Sequence, residues 1–491
     1  MKYTFDKLKE EVNKYVDGIF IKYEHQKVEY PKAIHDTVLG TNYFEPYEVA
    51  FLDSPIVQRL RRISQTDVAS FVFPSGNHNR FEHTLGVATI AGKFVDALFR
   101  RNSELFAKYK LGKDYIYQHC RVASILHDVG HGPFSHLTEQ IYGSYFESIK
   151  SNMECFWGAS PHEIISYLIA TSERMKRFNS EIIKGVYDIN IDLELVGDMI
   201  IGYSVNKPLK AFMVEIVNGA FDADKLDYMM RDSHSTGISM SLDFSRLLYT
   251  IDVVEKDEAL RLSVDINGVI ALEQIVFNKM TLFTTIYHHH KVRATGCLLK
   301  SIFYKNNDFE FPHNYLYYTD DDIWASGNRD NDILNSLKNR YLPKRALAIS
   351  SRTIQEGIEN LSKIMNLSDD ERTLEDIKDA IIKTVKEVEG MDLTGKIWID
   401  IPKAPKFKEA ITCTIKNFSS AIPYLTLNDI FPIDEWVKAF SQNKWSAYVF
   451  TMPEYCEVVS KISKNVFEDL YDLKFNEYAQ SICKLQNNNL P

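Results

Sequence analysis

The chain has 491 residues, of which 45% are hydrophobic and 25% charged, a composition typical of globular proteins and unlike that of disordered or collagen-like chains. Its 57 basic and 67 acidic side chains give a formal charge of −10, which excludes a general affinity for nucleic-acid backbones based on overall positive charge. The length predicts one large unit or two to three smaller ones.

The cysteines and the apolar runs indicate where the protein works. Six cysteines lie far apart without a CxxC pair, which predicts free thiols in a reducing compartment. No apolar signal segment opens the sequence, and its apolar runs are expected to fall below the ~20 residues that a membrane-spanning helix needs. We therefore expect a soluble, cytoplasmic protein with no membrane partner.

Helical patterns account for most of the sequence up to residue 305. Residues 1–30 predict an N-terminal arm that opens with an amphipathic helix, because Leu8 and Val12 recur at helical spacing. Residues 31–305 predict the core, in which one helix begins at Pro55 and two longer helices run over about 84–100 and 118–128.

Two later stretches of the core have patterns of their own. Residues Ile251–Asn267 predict a β-hairpin, with Asp257 and Glu258 at the turn between two apolar runs. The stretch Val269–Lys300 predicts a long helix.

Past residue 305 the composition shifts towards Asn, Asp, Tyr and Pro, so we place a domain boundary there. Residues 306–491 predict an α+β region, with helices over 332–341 and 374–388 and strands over 396–401, 409–415 and 446–451. The expected fold is mainly α: an all-helical core with a small β-hairpin, followed by the C-terminal α+β region.

A dense group of histidines marks the candidate site. Seven of the 14 histidines lie between residues 78 and 162, and His127 is followed directly by Asp128 at a predicted helix end. Imidazole and carboxylate together suit a divalent metal ion that acts as a Lewis acid. One helix end cannot surround an ion, so His83 and Asp224, at two distant helix starts, are candidate further ligands. Taken singly, each is better explained as a surface histidine or an N-capping aspartate; together they favour a metal centre.

Four sequence motifs resemble those of the HD-domain phosphohydrolases and follow one another in the same order. More narrowly, they resemble those of the deoxynucleoside triphosphate triphosphohydrolase branch. The resemblance extends from about Lys32 to Lys300. The motifs are Asp53-Ser54-Pro55 with Gln58-Arg59-Leu60-Arg61, His78-Asn79-Arg80-Phe81-Glu82-His83, His127 through His136, and Asp222 through Tyr228 with Arg231-Asp232.

The resemblance implies a metal site and a reaction. His83, His127, Asp128 and Asp224 would hold a divalent metal (Fe, Mn, Mg or Zn), and a hydroxide formed on it would attack the α-phosphate, releasing nucleoside and triphosphate. The α-phosphate would be surrounded by His131, His136, Glu139 and His162. We expect His136 to be the general acid, oriented by Glu139 three residues later, because a carboxylate partner keeps an imidazole protonated near neutrality.

Eight further positions are candidate substrate contacts, with cations for phosphate oxygens, aromatic rings for sugar or base, and polar groups for the 3′-hydroxyl. They are Gln65, Arg80, Lys225, Tyr228, Asp232, Tyr287, His290 and Lys291. The alternatives are solvated or salt-bridged surface charges for Arg80, Lys225 and Lys291, core packing for the tyrosines, and pairing of Asp232 with Arg231 or Arg246. Thr66-Asp67 stands where the family has Leu-Gly, which leaves selection of deoxyribose open.

The resemblance also suggests regulation. In a vertebrate member of the family, activating nucleotides bind between subunits, and residues similar to the guanine-nucleotide side of that site stand here at Lys32, Asp53, Gln58, Arg61 and Arg246. Asp265 and Asn267 replace the basic residues that would hold a second activator. Pairing of Asp53 with Arg61 within the fold is the alternative, and a homodimer or homotetramer is expected.

Three functions remain open at this point. The first is hydrolysis of (deoxy)nucleoside triphosphates. The second keeps the metal but changes the substrate to another nucleotide, a phosphomonoester or an oligonucleotide. The third is a nucleotide sensor or single-stranded nucleic-acid-binding protein with a structural metal.

Overall fold

The computed structural model describes residues 4–304, 306–326, 332–403, 413–419, 421–479 and 481–482. Helices dominate this part of the chain, and its sheets have two to four strands. The predicted mainly α fold with additional β structure is therefore confirmed.

The chain forms two compact units, each assembled from separated stretches. The first unit contains the described parts of Met1–Lys279, Asn306–Ser326 and Lys408–Pro432, and the second contains those of Met280–Lys305, Gly327–Phe407 and Ile433–Pro491. The boundary expected at residue 305 is one of several points at which the chain passes between the units, whereas the three predicted domains follow one another along the chain.

The described α-helices, numbered in chain order, are α1 (Phe5–Ile19), α2 (Pro46–Leu52), α3 (Pro55–Gln58), α4 (Arg80–Lys108), α5 (Lys113–Leu126), α6 (His136–Tyr142), α7 (Ser144–Asn152), α8 (Pro161–Ala170), α9 (Glu173–Phe178), α10 (Gly185–Tyr187), α11 (Leu193–Ile200), α12 (Ala211–Val217), α13 (Ala223–Thr236), α14 (Phe244–Thr250), α15 (Val269–Leu282), α16 (His290–Tyr304), α17 (Asp320–Ala325), α18 (Asp332–Lys338), α19 (Leu361–Met365), α20 (Glu371–Glu389), α21 (Leu427–Ile430), α22 (Ile433–Lys444) and α23 (Cys456–Tyr471).

The described strands are β1 (Lys32–Asp36), β2 (Gly40–Phe44), β3 (Ile251–Lys256), β4 (Ala259–Asp265), β5 (Lys344–Ile349), β6 (Ile354–Glu356), β7 (Ile397–Asp400), β8 (Thr414–Lys416), β9 (Tyr424–Thr426), β10 (Ala447–Thr451) and β11 (Lys474–Phe475).

Three helices form the centre of the first unit: α4 packs along α5 and against α13. The side chain of Asn79 caps α4 by accepting a hydrogen bond from the backbone N–H of Glu82. Asp222 caps α13 in the same way, through the N–H of Lys225. Both caps fix helix starts close to candidate ligands, since His83 and Asp224 lie in the first turns of these helices.

The predicted hairpin Ile251–Asn267 is present as β3 and β4, which pair antiparallel. Asp257 and Glu258 at its turn both have positive φ angles, of 52° and 59°, as the tight turns of twisted hairpins require. Two features were not predicted: the hairpin formed by β1 and β2, and the extension of the β3–β4 sheet by β8 and β9, where β8 pairs parallel to β4.

The second unit contains a three-stranded antiparallel sheet in the order β5-β10-β7. Apolar residues of α20 and α23, among them Ile381 and Val459, are buried with Leu347 and Val449 of the sheet. The predicted helices and strands of this region are found within a few residues of their expected ends, except that most of the strand predicted over 409–415 lies outside the described residues.

The predicted helix Val269–Lys300 is interrupted. A π-helical turn, Phe283–Tyr287, separates α15 from α16. By length and composition alone, Ile266–Tyr287 could span a membrane, and half of its most apolar stretch of 18 residues is buried inside the structure. The expectation that every apolar run is too short was therefore wrong for this stretch, although the core helix of a soluble protein meets the same criterion.

Candidate active site

Four side chains from three separate helical regions converge at the predicted metal site. His83 Nε2 lies 3.0 Å from Asp224 Oδ1 and 3.7 Å from Asp128 Oδ2. His127 Nε2 lies 3.4 Å from Asp128 Oδ1 and 3.9 Å from Asp224 Oδ1. Donor atoms of His83, His127 and Asp128 all fall within 4.8 Å of one another. The structure thus brings together the four predicted ligands, whose role as ligands stays a prediction.

The donor atoms of this group fit a divalent cation. His127 Nδ1 is 2.7 Å from the carbonyl oxygen of Ser124 and donates to it, so its Nε2 faces the group as an unprotonated donor. The Nε2 atom of His127 is buried without a hydrogen-bond partner, and that of His83 faces the Asp224 carboxylate at 3.0 Å. A buried nitrogen without a partner is costly, and a cation between these two imidazoles and two carboxylates would satisfy it.

A chain of buried charged side chains, formed by Asp227, Arg231 and Asp36, fixes the orientation of the His83 ring. Its Nδ1 lies 2.8 Å from Asp227 Oδ2. Arg231 donates to both oxygens of Asp227, at 2.8 and 2.9 Å, and lies 2.8 Å from Asp36 of β1. Such carboxylate partners fix the tautomer and orientation of a metal-binding histidine. Asp227 was not among the predicted site residues, although its position one helical turn after Asp224 was a usable signal.

These partners also shift the pKa of His83. Burial opposes the charged form, but Asp224 and Asp227 together raise the pKa of His83 to about 10. The pKa of Asp128 lies well below its usual range, because the nearby charges of Arg80, His127 and His131 outweigh burial. A divalent cation bound here would therefore compete with a proton for His83.

A second cluster lies beside the first, formed by His131, His136, Glu139 and His162. Glu139 Oε2 accepts from His136 Nδ1 at 2.9 Å and from His162 Nδ1 at 3.0 Å. The rings of His131 and His162 stack with centroids 3.8 Å apart. His131 Nε2 lies 3.4 Å from Asp128 Oδ1, which joins the two clusters. The four predicted catalytic residues are therefore adjacent.

The members of the second cluster differ in charge. Burial opposes ionisation of His162, yet Glu139 raises the pKa of His162 to about 9. The pKa of Glu139 is held well below its usual range by His162 and His136, against the effect of burial. Burial, Arg80 and His162 lower the pKa of His131 well below 6.5. The cluster thus combines a neutral imidazole with a protonated one that is paired to a carboxylate.

Two of the predicted phosphate-binding cations are engaged in ion pairs. Arg80 is buried, contacts Asp128 through Nη1 and donates to Ser135 Oγ at 2.6 Å through Nε, while its Nη2 is buried without a partner. Lys225 pairs with Asp222 and donates to the carbonyl of Gly219 at 2.9 Å. Arg80 is thus a buried ion pair, not the surface charge considered as its alternative.

The predicted sugar and base contacts have mixed surroundings. Gln65 is buried, and its Oε1 has no hydrogen-bond partner. Asp232 lies 2.8 Å from His78 Nε2, a pairing that the sequence did not indicate. Tyr228 is half-buried on α13, and burial raises the pKa of its hydroxyl.

The remaining substrate candidates, Tyr287, His290 and Lys291, belong to the second unit. Tyr287 contacts the ring of Phe283 edge-on, with centroids 5.4 Å apart. Lys291 donates to the carbonyl of Pro343 at 3.1 Å, and burial among other cations lowers the pKa of Lys291 to about 8. Burial and the neighbouring Arg345, His289 and Lys291 lower the pKa of His290 to about 3. Their role in substrate binding stays a prediction.

The candidate regulatory residues form local pairs in the first unit. Asp53 pairs with Lys32 at 3.1 Å, and Arg61 donates to Gln58 at 2.9 Å. The alternative pairing of Asp53 with Arg61 is therefore not the one formed. Arg246 lies 3.9 Å from Asp243.

Comparison with protein families divides the chain into two matched regions. Residues 80–200 match the HD domain, and residues 242–474 match the HD associated region. The HD domain match contains every residue of the two clusters described above except Asp224.

Several named proteins are similar to this chain. It is 31% identical over 274 residues to the deoxynucleoside triphosphate triphosphohydrolase SAMHD1 homolog of Dictyostelium discoideum, covering 55% of this chain and 47% of that protein. It is 29% identical to human SAMHD1 over 299 residues, 57% of this chain and 45% of the human protein. An uncharacterized protein of Methanocaldococcus jannaschii is 26% identical over 86% of this chain and 80% of its own length. The chain thus spans about half the length of the triphosphohydrolases it matches.

Proposed function

Because this chain belongs to the HD-domain superfamily of phosphohydrolases, in the branch that includes the deoxynucleoside triphosphate triphosphohydrolases, we propose that it hydrolyses deoxynucleoside triphosphates to nucleoside and triphosphate. The observation that carries the proposal is the adjacency of two clusters of titratable side chains. One contains His83, His127, Asp128 and Asp224, and the other contains a neutral histidine beside a histidine–glutamate pair.

In this proposal each cluster has a distinct task. His83, His127, Asp128 and Asp224 hold a divalent cation, which lowers the pKa of water and polarises a phosphoryl oxygen when bound. Nδ1 of His136 is occupied by Glu139, so its Nε2 is the nitrogen that donates a proton to the departing 5′-oxygen. Protonated His162 and the buried guanidinium of Arg80 stabilise negative charge on the α-phosphate.

Exposure favours His136 as the proton donor over the other members of its cluster. Its side chain is 56% exposed, whereas that of His162 is 12% exposed and that of His131 is fully buried. A donor to a leaving group must reach a substrate that arrives from solvent. His131, kept neutral by its surroundings, is suited to accept or donate a hydrogen bond on a phosphate oxygen.

A second candidate keeps the site and changes the substrate to another nucleotide or phosphate ester. Thr66 and Asp67, which follow Gln65, favour it. Thr66 is buried and donates to the carbonyl of Gly76 at 3.2 Å, and Asp67 has a φ angle of 54°. The segment after Gln65 thus carries two polar side chains where the family has Leu-Gly, and Asp67 holds a backbone conformation that glycine adopts more easily.

Product identification separates the two candidates. Purified protein is incubated with dNTPs, NTPs and short oligonucleotides in the presence of Mn²⁺, Fe²⁺ or Mg²⁺, and the products are identified by mass spectrometry. We expect nucleoside and intact triphosphate from at least one dNTP. Orthophosphate or a nucleoside monophosphate would contradict the proposal and support the second candidate.

Two variants test the assigned roles. Asp128→Asn should abolish both metal uptake and turnover while the helical circular-dichroism signal persists. His136→Ala should retain the metal but lose about 10²- to 10⁴-fold in rate. Full activity in either variant would contradict the corresponding role. A homo-oligomeric state, nucleotide activation at Lys32 and Asp53, and a cytoplasmic location are further proposals that these experiments do not address.

A further inference from the structure

A segment outside the HD domain match holds the loop that carries His136. The segment is 312–320, which contains a 3₁₀ helix, Pro312–Tyr317, and the first residue of α17. It belongs to the HD associated region and to the first unit. The loop is 131–135, between the His127–Asp128 pair and α6.

The backbone of this loop is strained. Phe134 and Ser135 have φ angles of 53° and 50°. Residues other than glycine rarely adopt this left-handed region of backbone conformation. Two such residues in succession persist only where neighbouring groups fix them. His136, the first residue of α6, follows directly, so its position depends on how these two residues are held.

Asp320 supplies much of that restraint. Its Oδ1 accepts from the backbone N–H of Phe134 at 2.7 Å. Its Oδ2 accepts from both the backbone N–H and the hydroxyl of Ser64, at 2.9 and 2.5 Å. One buried carboxylate thus ties the strained turn to the residue that precedes Gln65, on the other side of the loop.

Arg59 fixes the start of the same loop. Its guanidinium donates to the carbonyl of His131 at 2.7 Å, and to the carbonyls of Tyr315 and Tyr318 at 3.1 and 2.7 Å. Gly132 lies so close to the segment that a Cβ atom there would be 3.0 Å from the side chain of Tyr315. The segment and the loop therefore pack as one body.

We propose that Asp320 is a positioning residue for the proton donor: through Phe134 and Ser64 it fixes the loop that aims His136 at the substrate. This role rests on the proposed function. It also assigns a task to this part of the HD associated region, which holds the catalytic loop of the HD domain in its working conformation.

The first test compares Asp320→Asn with Asp321→Asn, a matched change at the next residue, which is exposed and 3.9 Å from Arg62. An amide cannot accept from Phe134 and Ser64 together, because one of its two groups is a donor. We expect Asp320→Asn to lower kcat by up to about 100-fold, with KM and bound metal unchanged. Asp321→Asn should leave kcat unchanged.

A double-mutant cycle separates positioning from a general loss of stability. If Asp320 acts through His136, Asp320→Asn in a His136→Ala background should cost about 2-fold or less. An equal loss of kcat in both backgrounds, or a wild-type kcat for Asp320→Asn, would overturn the proposal. Rates are measured as single turnovers, so that slow variants remain within range.

Hydrogen exchange gives a readout that does not depend on the substrate. Peptides covering 129–140 should exchange faster in Asp320→Asn than in wild type, and at the wild-type rate in Asp321→Asn. Unchanged exchange would overturn the inference. Faster exchange in a protein whose wild type releases no triphosphate would instead refute the proposed function while leaving the restraint of the loop by Asp320 intact.

Discussion

Glu139 is one carboxylate that serves two histidines, and these two differ in burial. It accepts hydrogen bonds from exposed His136 and from largely buried His162. Because a buried ion pair loses much of its value when one partner is neutralised, the charge of His162 is coupled to folding. This coupling gives the cluster a characteristic pH dependence.

We predict that the contribution of His162 to stability disappears in alkaline solution. Its folded-state pKa of about 9 exceeds the ordinary value of 6.5, so the contribution is complete below pH 6.5 and is lost as the pH rises through 9. The shift corresponds to a difference on the order of 3 kcal/mol. Denaturant unfolding of metal-free wild type and His162→Gln, from pH 6 to 10, measures it.

The control for this series is His234→Gln, at an exposed histidine of α13. The gap in unfolding free energy between wild type and His162→Gln should narrow with rising pH, whereas the gap for His234→Gln should show no change of that size. A gap for His162→Gln that is constant with pH, or widens, would contradict the assigned pairing.

At the scale of elements, the site depends on a close approach of α4 to α13. A Cβ atom on Gly86 would lie 1.8 Å from Asp227 Oδ1 and 2.4 Å from Arg231 Nη2. Both atoms belong to the buried chain of charges that orients His83. The absence of a side chain at Gly86 therefore makes room for the carboxylate behind the metal ligand.

We predict that Gly86→Ala destabilises the protein by about 1–3 kcal/mol, as overpacking of a buried contact does, and also weakens metal binding. Gly18→Ala in α1 is the matched control, because nothing lies within 4 Å of its Cβ position. There alanine should be neutral or stabilising. Denaturant unfolding and metal titration of both variants provide the measurement, and an unfolding free energy for Gly86→Ala equal to that of wild type would refute the packing argument.

Local pattern predicted the elements better than their pairing. Helices α4 and α5, near whose ends His83 and His127 lie, and the turn at Asp257 were visible because periodicity and turn residues act over a few positions. The pairing of β8 with β4 was not, since it joins segments about 150 residues apart in sequence. The site follows the same division. Family motifs led to its candidate ligands, and Asp227 could have been found from its position one helical turn after Asp224, whereas Asp320 acts through distant contacts that leave no local signal.

At the scale of the whole molecule, the metal site connects distant parts of the chain. Its four candidate ligands come from the start of α4, the end of α5 and the start of α13, and they extend from residue 83 to residue 224. All four belong to the first unit. Metal binding should therefore stabilise the first unit in particular.

We predict that removal of the metal by a chelator speeds hydrogen exchange in α4, α5 and α13 and lowers the melting temperature. A ligand that binds only the folded state at 100 times its Kd adds about 2.7 kcal/mol, and that contribution is lost on chelation. Peptides from β5, β7 and β10 of the second unit serve as the internal control and should keep their exchange rates. Asp224→Ala, which removes one ligand, should exchange like the chelated protein and gain little from added metal. If wild type with and without metal exchanges identically in the three helices, these side chains do not share a cation.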